Sequence, residues 1–132
     1  MSEPRSDAPE SSPREPNRLE AYHDALRLLA SVHSLLATLP PGHGSLAARL
    51  RKTSAAVVTS LAESAAESSP VERTRLDHAA RRASAECAAA LDIARQIAKR
   101  SAGGARLPEI FDRARTRAER VARVLAWWDP SA

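Results

Sequence analysis

The chain has 132 residues, room for one domain with a real core if little of its length is spent elsewhere. Apolar residues make up 43% but aromatics only 3%, so the apolar weight lies in Ala, Leu and Val, which pack closely but each bury little area. The single Cys87 excludes a disulfide framework and a thiolate zinc cluster, and the net charge of +4 marks a moderately basic domain compatible with nucleic acid or an acidic protein partner.

Residues 1–16 hold four prolines among Ser, Glu and Asp, with four carboxylates against two arginines and no apolar periodicity. They are expected to form a disordered leader, and residues 17–132 a single bundle. Because this leader is acidic, the positive excess is concentrated in the rest of the chain. All cationic residues but Lys52 and Lys99 are arginines, which suit bidentate contacts to phosphate or carboxylate.

The first helix is expected from the N-cap Asn17 to about Leu39, with Leu19, Tyr22, Leu26, Leu29 and Leu36 as its apolar stripe. Pro40-Pro41-Gly42-His43-Gly44 ends it. The second starts near Ser45 and reaches about Glu67, with Leu46, Leu50, Val57 and Leu61 on one side. Ser69, Pro70 and Glu72 form a start signal of serine cap, first-turn proline and capping-box glutamate. The third helix extends from there to about Arg100 and stops at Gly103-Gly104. The fourth covers about Pro108 to Trp128. There Leu107, Phe111, Ala114, Ala118, Val121, Leu125 and Trp128 alternate steps of four and three. No segment alternates with period two. The expected class is all-α, an antiparallel up-down four-helix bundle.

Catalytic and metal chemistry find little support in the residues. Glu20 and His23 match one Glu-x-x-His unit, but a di-metal bundle needs a second copy as well as carboxylates from the other two helices, and no second copy is present. His33 shares a direction with Leu29 and Leu36 and is expected in the core or at a subunit contact. His43 falls in a glycine-rich turn. Cys87 continues the stripe of Leu76, Ala80 and Ala83 and reads as a small buried hydrophobe. No cofactor is expected.

The basic residues are better organised. Arg106, Arg113, Arg117 and Arg120 occupy a sector of about 60° beside the apolar stripe of the fourth helix, with Glu109, Asp112 and Glu119 assigned to its far side. This is either a solvated face whose arginine stems cover the core edge or a cationic ridge for phosphate. Arg49, Arg51 and Lys52 add charge on the second helix. Few aromatics are available for base stacking and no recognition-helix motif occurs, so sequence-specific readout is not expected.

Two family resemblances bear on function. Arg49-Leu50-Arg51-Lys52, then Val57, then Leu61-Ala62-Glu63 resemble the helix-2 signature of the four-helix bundle family first described as proteins encoded in 23S rRNA intervening sequences. Leu19, Tyr22 and Ala25, the Leu39-Pro40 turn, Ser69 with Glu72, and Ala80, Glu86, Leu91 and Ala94 extend the resemblance over about residues 19–128. Val58, Ser60 and Ser64 stand where that family has Pro, Asn and Gly, which implies a straighter and longer second helix. The resemblance implies a homo-oligomeric ring, often a pentamer, without enzymatic activity. It also implies kinship with accessory variability proteins of diversity-generating retroelements, which partner a reverse transcriptase and bind RNA and DNA. Arg51, Lys52, Arg113, Arg117 and Arg120 are the expected nucleic-acid contacts, and a protein-interaction scaffold is the alternative.

Arg73 and His78 resemble the arginine–histidine motif of HEPN-type RNases. They lie about 140° apart on a helix, and the motif opens the third helix here rather than the last. An RNase is therefore the less favoured reading. No run of about 18 apolar residues is present to span a bilayer, and no apolar signal region opens the chain, so the expected compartment is the cytoplasm.

Overall fold

The computed structural model describes residues 17–103 and 108–128, which form four helices and, among themselves, no strand. These are α1 (Arg18–Leu36), α2 (Gly44–Ala66), α3 (Pro70–Ala102) and α4 (Glu109–Trp128). Each helix packs on its two neighbours around a square, α1 on α2 and α4, and α3 on α2 and α4. Across the diagonals no backbones come close among the described residues, and side chains alone bridge α1 to α3. The expected up-down bundle is the observed one. The leader 1–16, Gly104, Arg106 and Leu107 lie outside the described residues.

The helix ends follow from local chemistry. Asn17 caps α1, its Oδ1 accepting from the Leu19 amide at 2.7 Å and the Glu20 amide at 3.3 Å. Thr38 hydroxyl donates to the Leu35 carbonyl at 2.6 Å, and α1 ends at Leu36, three residues short of the expected end. Gly42 turns the chain toward α2 with φ of +95°, and Gly103 closes α3 in the left-handed conformation. Ser69 caps α3, accepting from the Glu72 amide at 3.4 Å, with Pro70 in the first turn. The reciprocal half of the expected capping box is supplied by a different residue. Glu67 accepts from the Ser69 amide at 3.1 Å, while Glu72 turns along the helix to pair with Arg75 at 2.8 Å.

The core has two parts. One gathers Leu28, Val32, Leu35, Leu50, Cys87, Leu91 and Phe111 with several alanines. The other gathers Ala21, Ala25, Val57, Leu61, Ala80, Val121 and Leu125. Fully buried Ser54 and Ser84 fall between them in sequence. Ser54 donates back to the Leu50 carbonyl at 2.7 Å, and Ser84 reaches across to the Ala118 carbonyl at 3.4 Å, so neither hydroxyl is left without a partner. Among the described residues the expected stripes of α3 and α4 are buried, apart from half-buried Trp128.

On α1 the expected stripe is not the buried one. Ala21, Ala25, Leu28, Val32 and Leu35 face the core, whereas Leu19 is 62% exposed and Tyr22, Leu26, Leu29 and Leu36 are only partly covered. His33, which shares that outer stripe, is exposed rather than in the core. The cause is the position of the neighbours. The buried sector must point between α2 and α4, and the small Ala21 and Ala25 let α1 approach both closely. The larger side chains, about 110° away around the helix, are left on the flank toward α2.

Candidate nucleic-acid interface

Arg113, Arg117 and Arg120 share one surface of α4, as their common sector requires, and Arg120 also borders a groove with α1. Across from Arg120, α1 contributes Asp24 and Arg27. Asp24 is only 8% exposed and is held between two cations, Arg27 at 3.2 Å and Arg120 at 3.8 Å. Arg117 is half-buried, and its Nε is buried without a hydrogen-bond partner among the described residues. Its stem covers the edge of the core, as a solvated face with arginine stems requires.

Glu109 does not fall on the far side of α4. It pairs with Arg113 at 3.7 Å and shares its groove, together with Asp112 and Thr116. One turn of separation is well within the reach of an arginine, so a wheel position near the boundary of the sector becomes an ion pair. The ridge is therefore a positive surface with carboxylates set into it.

The other flank of α4 is neutralised by α3. Arg115 donates to Asp92 at 2.9 Å and pairs with Glu119 at 3.3 Å, and Asp112 meets Arg95 of α3 at 3.4 Å. Charge on α4 is thus divided by its neighbours. Asp92 of α3 and Glu119 engage Arg115 on one side, and Arg95 of α3 engages Asp112. The other side carries Arg113, Arg117 and Arg120 beside Glu109, with Arg27, Asp24 and Glu20 of α1 near Arg120.

Arg51 and Lys52 are exposed, as expected, but they do not join this surface. Adjacent residues on a helix point about 100° apart. Lys52 lines a groove between α2 and α3 with Arg49 and Glu86, and α2 is diagonal to α4. One protomer therefore carries two separate basic regions.

A buried polar cluster ties all four helices together at the end where α1 starts and α4 stops. Arg18 of α1 donates two bonds to Asp77 of α3, at 3.0 and 2.9 Å, and a third to Ser64 of α2 at 2.8 Å. Ser64 in turn donates to Asp77 at 2.6 Å, and the Arg18 guanidinium lies 4.2 Å from the ring centroid of Trp128 on α4. Nothing in the local periodicity of these residues signals the cluster. The one visible hint is a serine and an aspartate at apolar-stripe positions of α2 and α3.

This arrangement bears on the HEPN-like motif. Arg73 donates to the Glu67 carbonyl at 2.8 Å and so fastens the turn between α2 and α3. His78 is half-buried on a different side of α3. Glu20 and His23 are exposed on the same α1 flank as Arg27, and no group of three or more metal-ligating side chains occurs among the described residues. Cys87 is fully buried. Burial pushes its thiol above the ordinary value of 9.0, partly offset by a hydrogen bond with Thr53, so it is neutral at physiological pH. No helix among the described residues is long and apolar enough to cross a membrane. Comparison with protein-family models, with curated proteins and with solved structures finds no match.

Proposed function

We propose that this protein is a non-enzymatic four-helix bundle that self-associates and binds nucleic acid through its phosphates, without strong sequence preference. The resemblance to the 23S rRNA intervening-sequence family makes an accessory role beside a reverse transcriptase the natural setting. The observation that carries the reading is the surface of α4 that gathers Arg113, Arg117 and Arg120 and meets Arg27 of α1 beside Arg120, while Arg115 on the other flank is paired with Asp92 of α3. Phosphate contacts of this kind release counterions, so binding weakens steeply with salt. Arg51 and Lys52 belong to a second basic region. Repetition of both regions around an assembly would multiply a weak electrostatic contact.

The test is binding of RNA and DNA oligonucleotides across a salt series to the wild type and to a triple variant, R113Q/R117Q/R120Q. Glutamine is preferred to a carboxylate because Arg120 adjoins the buried Asp24. Loss of binding with an unchanged melting temperature is the expected result. Retained, equally salt-sensitive binding in the triple variant overturns the assignment of the groove.

The alternative reading is a homo-oligomeric scaffold for a protein partner. It is favoured by the outer stripe of α1, where Leu19, Tyr22, Leu26, Leu29 and Leu36 remain partly or largely uncovered. Absence of any salt-sensitive nucleic-acid binding, with stable self-association, selects it. An RNase acting through Arg73 and His78 is the least supported reading, since Arg73 is engaged in the α2–α3 turn.

A further inference from the structure

The two tryptophans that end α4 are neighbours in sequence and have different surroundings. Trp128 is half-buried beneath the Arg18 guanidinium, 4.2 Å from its ring centroid, and is part of the four-helix cluster. Trp127 points about 100° away and keeps 44% of its surface exposed, in a protein that has few aromatics to spend. An exposed tryptophan on a soluble helix forfeits its large apolar area unless something covers it.

Its position on the helix indicates what that is. Arg113, Arg120 and Trp127 are spaced by seven residues, so they stack in a nearly straight line with about 10.5 Å between successive members. Arg123, also exposed, lies one turn before Trp127 on the same outward side. Side chains in a helix lean toward its N-terminus, which tilts the indole of Trp127 toward the turn that holds Arg123. Cations followed by an exposed ring, in line over about 21 Å, match a single strand of nucleic acid, with phosphates along the arginines and an unpaired base on the ring. A duplex presents the phosphates but keeps its bases stacked inside, so the ring would have nothing to receive.

We propose that Trp127 is a stacking platform for an unpaired base at the end of the arginine line of α4, and that the preferred ligand is therefore single-stranded nucleic acid. This rests on the reading of α4 as a phosphate-binding surface and narrows it to a ligand class. RNA and DNA share the required chemistry, since every base has a π-face and both backbones carry the phosphates.

The experiment uses the full chain with Trp128→Phe, which keeps a ring beneath Arg18 and leaves Trp127 as the sole tryptophan reporter. Uridine and thymidine homo-oligomers, and a duplex of equal length, are titrated at low salt. Quenching of Trp127 emission by the single strands but not by the duplex is expected. Trp127→Leu, which retains apolar bulk without a π-face, should weaken single-strand binding by about 5- to 100-fold, the usual loss when one stacking aromatic is removed. Duplex binding should stay within about twofold, because phosphate contacts are indifferent to base exposure. Trp127→Phe should recover part of the loss. Preference for the uridine or the thymidine oligomer identifies the natural strand, and either one supports the platform. Unchanged single-strand affinity in Trp127→Leu overturns the proposal while leaving the arginine groove intact. Altered self-association with unchanged binding assigns the ring to a protein contact instead. Absence of binding to every oligonucleotide overturns both this proposal and the reading it rests on.

Discussion

Arg18 of α1 and Asp77 of α3 are joined by two parallel hydrogen bonds, and the two residues are not equally buried. The Asp77 side chain is 4% exposed and that of Arg18 is 31% exposed. Removing Arg18 takes two charge-assisted bonds from a buried carboxylate that keeps the Ser64 hydroxyl, whereas removing Asp77 leaves a guanidinium that still reaches water. Arg18→Ala should therefore destabilise the bundle more than Asp77→Ala. The first is expected to cost about 3 kcal/mol, at the low end for a broken buried pair because part of Arg18 is solvated. Chemical denaturation of both variants and of the double variant measures the order and the coupling. A larger loss for Asp77→Ala would contradict the burial argument.

Two leucines of α1 separate the buried stripe from the outer one. Leu28 is fully buried, and Leu28→Ala should lose about 2–5 kcal/mol of stability. Leu19 is 62% exposed, and Leu19→Ala should change the stability of an isolated bundle by no more than about 0.5 kcal/mol. Sedimentation analysis adds a second readout. If the outer stripe forms the contact between copies, Leu19→Ala together with Leu26→Ser and Leu29→Ser should reduce the particle mass without unfolding the helices.

The separate placement of the basic regions gives an unequal expectation for the five candidate residues. R113Q/R117Q/R120Q should lower the slope of log affinity against log salt by about two to three units, since each phosphate contact contributes close to one. R51Q/K52Q should lower it by less, because these two side chains diverge by about 100° and neither faces the α1–α4 groove. Equal losses would place both regions on one ligand path, which requires assembly of several copies.

Burial raises the Cys87 thiol above its ordinary value, so the folded state holds that proton to higher pH than the unfolded chain does. The sign follows directly. The stabilisation is fully present below the ordinary value of 9.0, where the unfolded thiol is still protonated, and declines as pH rises through the folded value. Thermal melts at pH 7 and pH 10 should show an alkaline decline that is smaller in Cys87→Ala, once its own cavity cost at pH 7 is subtracted. Thiol reagents at pH 7 should react with Cys87 only as fast as the bundle opens.

The start of α3 offers a local check. Ser69→Ala removes the acceptor of the Glu72 amide and should cost about 1 kcal/mol. Glu67→Ala removes the acceptor of the Ser69 amide, and in this bundle it should be felt more than Glu72→Ala, whose carboxylate is taken up by Arg75. Denaturation midpoints of the three variants rank them.

Much of the architecture is legible along the chain because helices are written in local terms. Asn17, Ser69 with Pro70, and Gly103 mark their own ends, since a cap or a left-handed residue depends on nothing beyond the next few peptide groups. The arginine sector of α4 is equally local, because 3.6 residues per turn places Arg113, Arg117 and Arg120 together in any helix. The same rule marks the buried side of α3, including Cys87, by the spacing of its small residues.

What required the assembled bundle is the identity of each helix's neighbours. The sequence offers α1 two apolar stripes, and the larger side chains of the outer one suggest the wrong face. Only the positions of α2 and α4 decide that Ala21, Ala25 and Leu28 turn inward and that His33 stays outside. Likewise, Arg18 and Asp77 are 59 residues apart, and Arg115 meets Asp92 across 23. Which arginines are neutralised and which remain available is set by carboxylates on another helix, because charge is paired through space and periodicity is counted along the chain.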